Sequence, residues 1–170
     1  MIDDSRFIIV AGTARNVGKT TLVCDIIREN SKKNIIALKF ITLKSGGFKH
    51  QHHSDVETYS IIQENDLSVE KDTVKMLKAG ANQSFLIISK EEYIGEALFQ
   101  FMNLVRADDF VIVESATLRN FIEPKLFIIV DRNGVESKKE YIKELLPLAD
   151  YFLEDLSQKE MINEILMASR

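Results

Sequence analysis

The sequence is short of the features that mark specialised protein classes. One cysteine, Cys24, in 170 residues permits no internal disulfide, and the usage fits a reducing compartment. The only prolines are Pro124 and Pro147, and there is no internal repeat, low-complexity tract or linker-like stretch. One domain over residues 1–170 is therefore expected. No apolar run approaches the ~20 residues of a membrane-spanning helix. The start, Met1-Ile-Asp-Asp-Ser-Arg6, is acidic where a secretory signal is basic. A cytoplasmic protein without a membrane partner is expected. Charge of one sign is also scarce: 22 basic residues against 26 acidic give a net charge of −4, which argues against a general nucleic-acid surface.

What is present is an alternation of short apolar runs with helix-period stretches. Strands are expected at Arg6–Ala11, Asn34–Leu43, Ser84–Ser89, Phe110–Glu114, Lys125–Asp131 and Tyr151–Leu153. Helices are expected at Thr20–Asn30, from Ser54 through Ile62, at Asp72–Ala79 with Gly80 as its stop, at Glu91–Val105, at Ser137–Leu146 and at Gln158–Met167. Cys24 falls inside the first helix as a small buried hydrophobe. The pattern predicts an α/β fold, a mostly parallel sheet of six or seven strands with helices on both faces. Ligands of such sheets gather at the carboxyl ends of the strands.

Chemistry-bearing residues fall at those ends. Between the first strand and the first helix runs Gly12-Thr13-Ala14-Arg15-Asn16-Val17-Gly18-Lys19-Thr20-Thr21. Strand, glycine-bounded loop and helix in that order place backbone N–H groups and a helix N-terminus around one anionic pocket, the layout of a three-layer P-loop NTPase. Thr13 to Thr21 are the expected phosphate ligands. Lys19 reaches the β- and γ-phosphates of a nucleoside triphosphate, and the Thr20 hydroxyl ligates Mg²⁺. Five residues separate the two glycines, one more than usual, and Thr13 stands where the first glycine is expected. Glu114 closes an apolar strand and reads either as the second carboxylate of such sites, holding Mg²⁺ or orienting water, or as a strand-end surface glutamate. Lys19 and Glu114 are thus the expected catalytic residues, and Thr20 and Glu114 the metal ligands.

Other positions leave alternatives open. Lys39, in an apolar strand, either meets an anion or points into a wet crevice. Lys49-His50-Gln51-His52-His53-Ser54-Asp55 holds every histidine of the chain and reads as a metal site, a phosphate- or partner-facing loop, or a solvated loop. Asp72 reads as an N-cap or as a second carboxylate near the metal. Arg119 reads as a γ-phosphate or partner contact or as a surface arginine. No Asn-Lys-x-Asp guanine-reading sequence occurs, so Asp131 and Asn133 are candidates for the base by position alone.

In ordered landmarks the chain resembles the MobB family of molybdopterin-guanine dinucleotide biosynthesis. The landmarks are the early phosphate loop, Lys49-His50-x-His52-His53, Lys71-Asp72 with Ala79-Gly80-Ala81, Val113-Glu114 and Pro124-Lys125. The resemblance implies a GTP-binding, Mg²⁺-dependent protein with weak GTPase activity, often a homodimer, that assists a molybdopterin nucleotidyl transferase. Lys39 and Lys49 compete for the equivalent of one family lysine. The loop Gly-Thr-x-x-x-Val-Gly-Lys-Thr by itself is similar to that of dethiobiotin synthetase, which implies the alternative of an ATP-dependent ligase or kinase acting on a small acid. In that resemblance Lys39 matches a lysine on the second strand.

Overall fold

Phe7, Ile8, Ile9, Val10 and Ala11 are all fully buried, so both faces of their strand are covered and the strand sits in mid-sheet. A computed structural model describes residues 1–43, 56–132 and 141–154. Its elements are β1 (Ile2–Gly12), α1 (Lys19–Glu29), β2 (Ile35–Leu43), β3 (Tyr59–Gln63), α2 (Asp72–Lys78), β4 (Gln83–Lys90), α3 (Ile94–Met102), β5 (Phe110–Glu114), β6 (Ile122–Val130), α4 (Ile142–Leu145) and β7 (Tyr151–Leu153). The seven strands form one sheet in the order β3-β4-β2-β5-β1-β6-β7. Only β3 runs antiparallel, against β4.

Alternation along the strands sorts the core into two layers. Ile8, Val10, Ala37 and Ile112 face Leu22, Val23, Ile26 and Ile27 of α1 and Met76 of α2. Phe7, Ile9, Leu38 and Val113 face Ile94, Leu98 and Phe101 of α3 and Ile142 and Leu145 of α4. The result is a three-layer α/β arrangement with helices on both faces. The Phe85 and Phe101 rings meet edge-on, centroids 5.6 Å apart, and pin α3 to β4. α1 stops at Asn30, whose side chain donates to the Ile26 carbonyl at 2.9 Å. α2 stops at Gly80, at φ 115°, where the Ala81 N–H returns to the Met76 carbonyl.

Chain direction opens the crevice. From β2 the chain continues toward the β3 edge, whereas from β5 it continues to β6 on the far side of β1. The carboxyl ends of adjacent β2 and β5 therefore part, with the β1 end beside them.

Three expectations need correction. The segment expected to begin a helix at Ser54 contains strand β3 at Tyr59–Gln63. Tyr59 and Ile61 pack on the α3 side with period two, and pairing with β4 overrides the helical spacing of the apolar residues. Strands β1 and β6 begin earlier than their apolar runs, because Ile2–Asp4 pair with Ile122–Pro124 ahead of an irregularity between Asp4 and Ile8. Pro124 is tolerated there because the pairing of β7 reaches only Ile128–Val130. The helix expected over Glu91–Val105 is a 3₁₀ turn at Glu91–Tyr93 followed by α3, which ends at Met102. The histidine-rich stretch 49–55, Lys44, Asn133 and the helix expected at 158–167 lie outside the described residues.

Candidate functional site

The loop after β1 turns sharply into α1. Asn16 (φ 59°) and Gly18 (φ 103°) are both left-handed, and residues in this conformation direct neighbouring N–H groups into a concavity suited to an anion. Gly18 is the N-cap of α1, with no side-chain cap and no acidic residue in the first turn, so the positive end of the helix dipole faces the same concavity. Gly12 allows the Lys19 stem to lie against the backbone: a Cβ there would be 2.7 Å from Lys19 Cδ and from Val17 Cγ2. Lys19 Nζ donates to the Ala14 carbonyl at 2.9 Å, folding its side chain back over the loop.

Beside the loop, strand period two brings distant residues to one face. Lys39 follows Ile35 and Ala37, and Glu114 follows Phe110 and Ile112, so both project toward the α1/α2 layer. They are register partners in the parallel pair β2–β5. Glu114 is 7% exposed. Its Oε2 accepts the Thr20 hydroxyl at 2.7 Å, and its Oε1 lies 3.5 Å from Lys39 Nζ. Lys39 Nζ also donates to Asp72 at the start of α2, and Asp72 in turn accepts from Lys75 at 3.2 Å on the exposed rim. Burial alone would lower the Lys39 pKa; the Glu114 charge and the Asp72 hydrogen bond and charge outweigh it, and the net shift is upward. Burial alone would raise the Asp72 pKa, but its bonds to Lys39 and Lys75 turn the net shift downward. Both groups are held ionised.

These residues line a cleft of about 850 Å³ that also includes Arg15, Asn16, Thr21, Ser115, Thr117, Asn120, Tyr141 and Glu144. Its volume is that of a small-molecule site. A smaller cleft of about 370 Å³ lies between Gln63–Leu67 and the amino end of β4, on the opposite edge of the sheet.

Of the expected ligands, Arg15, Asn16, Gly18, Lys19, Thr20, Thr21, Lys39 and Glu114 converge on the large cleft. Thr13 turns away: its N–H donates to the Val130 carbonyl at 3.1 Å and its hydroxyl donates to Asp131, tying the loop to the end of β6. Ala14 and Val17 are buried in the core on the α1 side. Lys39 combines its two readings: it meets two carboxylates and also lines the cleft. Asp72 is not the N-cap of its helix; Lys71 is, and Asp72 opens the first turn. Arg119 is no surface residue and is absent from the cleft. It is 8% exposed, its guanidinium 5.8 Å from the Phe127 ring centroid and its Nη1 3.5 Å from the Ile122 carbonyl. Asp131 is engaged by Thr13. Cys24 is buried in α1, as its pattern predicts, and burial pushes its thiol pKa up.

The Lys39–Asp72 pair was beyond sequence reasoning, because 33 positions separate the two residues and no spacing rule joins them. The cleft contributions of Glu91, Tyr141 and Glu144 were missed for the same reason.

Thr20, Glu114 and Asp72 together offer hard oxygen donors suited to Mg²⁺, with Lys39 as their present counter-charge. Among the described residues no cluster of three or more His, Cys, Asp or Glu forms a metal cage, and no helix is long and apolar enough to cross a membrane. Comparison of the chain with family models, curated proteins and solved structures finds no match.

Proposed function

We propose that the large cleft binds a nucleoside triphosphate with Mg²⁺ and hydrolyses it slowly, and that the protein acts through a partner in the manner of the MobB proteins it resembles. The observation that carries this reading is the contact of Thr20 with Glu114 directly beside the uncapped start of α1. It joins an anion-binding backbone to a hydroxyl–carboxylate pair of the kind that holds Mg²⁺ on β- and γ-phosphates. The loop N–H groups and Lys19 would take the phosphates, and Thr20 and Glu114 the metal. Bound Mg²⁺ would neutralise charge on the transferring phosphoryl group. Glu114 lies 3.5 Å from the Lys39 ammonium, and the α1 dipole and Lys19 would stabilise negative charge as it builds. In this reading the protein is cytoplasmic, binds GTP or ATP, and pairs as a homodimer with a molybdopterin nucleotidyl transferase as client.

One observation favours a second reading, ATP-dependent activation of a small acid as in dethiobiotin synthetase: Lys39 lines the cleft from the second strand, where that resemblance puts an acceptor lysine. Phosphate release from GTP and from ATP, measured with and without a panel of short carboxylic acids, tests the two together. Slow release unaffected by acids supports the adaptor. Turnover that starts only when an acid is added replaces it with the ligase, and no binding of either nucleotide refutes both.

A further inference from the structure

We propose that the Lys39 ammonium holds the place of a divalent cation between Asp72 and Glu114, so that metal enters this cleft together with the triphosphate rather than before it. The inference rests on the reading of the cleft as a nucleotide–Mg²⁺ site, and concerns how that site is kept ready.

Three elements contribute the arrangement. Lys39 comes from β2, Glu114 from β5 and Asp72 from the first turn of α2, and the ammonium touches both carboxylates. None of the three is fully solvated: their side chains are 24%, 8% and 27% exposed in that order. Two carboxylates drawn together out of bulk water need a positive charge between them, and Lys39 supplies it. The Thr20 hydroxyl meanwhile donates to Glu114, so its oxygen is already next to the carboxylate that would share a metal with it. Lys19 is turned onto the Ala14 carbonyl, Lys75 reaches Asp72 from the exposed rim, and Arg15 belongs to the loop.

An ammonium and a divalent ion cannot share this carboxylate pair, because they repel at contact distance in a partly desolvated site. Metal alone therefore has to displace Lys39 and leave a lysine without a counter-charge. Metal arriving on a triphosphate brings several negative oxygens with it, and these accept the displaced ammonium. Mg²⁺ is commonly held in this way, by one or two carboxylates together with substrate phosphates. Lys39 thereby keeps the nucleotide-free site assembled and passes to the phosphate side when the site fills. Lys39 is a positioning residue in the free protein and a phosphate contact in the loaded one.

The test uses Mn²⁺ alone with the nucleotide-free protein, with free Mn²⁺ counted by electron paramagnetic resonance. Wild type is expected to bind weakly, Lys39→Met at least ten-fold more tightly, and Lys39→Arg like wild type. The rim variant Lys75→Met should change affinity less than three-fold. Should Lys39→Met fail to fold, the wild-type protein gives a second readout: amine-reactive labelling of Lys39, mapped by mass spectrometry, should rise several-fold on adding saturating Mn²⁺. Equal Mn²⁺ affinity in folded Lys39→Met and wild type, or labelling unmoved by Mn²⁺, overturns the proposal. A separate titration with ATP and GTP reads the nucleotide assignment independently.

Discussion

Replacing Gly12 by alanine isolates the packing of the loop from its backbone strain. Gly12 is not among the residues with positive φ, so an alanine there meets no conformational penalty, only a lack of space. The added methyl would sit 2.7 Å from Lys19 Cδ, 2.7 Å from Val17 Cγ2 and 2.8 Å from Lys19 Cγ. The Lys19 atoms belong to the middle of the stem and Val17 is 2% exposed, so neither neighbour yields freely. Overpacking of this kind costs about 1–3 kcal/mol. For a chain of this size that lowers the melting temperature by about 2–12 °C. If the cleft binds nucleotide as proposed, the displaced Lys19 would also forfeit part of a charge-assisted hydrogen bond to phosphate worth about 1.5–3 kcal/mol, or about 10–100-fold in nucleotide affinity. Thermal unfolding by circular dichroism and calorimetric titration with nucleotide measure the two effects on one preparation. Gly95→Ala is the control, because a Cβ there meets nothing within 4 Å. A Gly12→Ala protein matching wild type in both melting temperature and affinity would refute the packing of Lys19 against β1.

Two further predictions follow from the charged network. If the cleft hydrolyses nucleotide with Mg²⁺ as proposed, Glu114→Gln, which keeps the shape of the side chain but not its acid, should raise the Mg²⁺ concentration needed for half-maximal hydrolysis about ten-fold or more with the circular dichroism spectrum unchanged; an unaltered Mg²⁺ dependence would remove Glu114 from the proposed metal site. Stability should fall at both pH extremes. Asp72 has a folded pKa below its ordinary 3.8, so its contribution is complete above that value and is lost as pH falls through the folded value. Lys39 has a folded pKa above its ordinary 10.5, so its contribution is complete below that value and is lost as pH rises through the folded value. Denaturant midpoints across pH should show both limbs shallower in Lys39→Met, and identical limbs in the two proteins would contradict the pairing.

Much of the fold was legible because burial and period agree in this chain. The runs around Ile8, Ile36, Ile87, Ile112 and Ile128 are apolar on both faces, which only a covered, mostly parallel sheet accommodates. The loop was legible for a related reason, since its left-handed positions carry Asn16 and Gly18, residue types that tolerate them. Strand β3 was hidden because Tyr59, Ile61 and Ile62 fit a helical stripe as well as an edge strand, and only β4 decides between them. The polar start of β1 was hidden because its partner on β6 lies more than a hundred residues away. At the site, Glu114 was legible as a strand-end charge and Lys39 as a lone charge within the second strand. Their register, and the arrival of Asp72 above them, are products of topology. Arg119, open in the sequence between a phosphate or partner contact and a surface position, is instead buried with its guanidinium over Phe127.

The central claim, that this cleft holds a nucleoside triphosphate with Mg²⁺, is tested most directly by the melting temperature with and without nucleotide in wild type and Lys19→Ala. A ligand that binds the folded state at 100 times its Kd adds about 2.7 kcal/mol, a shift of several degrees for this chain length. GTP–Mg²⁺ or ATP–Mg²⁺ should raise the wild-type melting temperature by that amount and leave Lys19→Ala unmoved, with both proteins equally folded beforehand. No shift in wild type with either nucleotide, or an equal shift in Lys19→Ala, would contradict it.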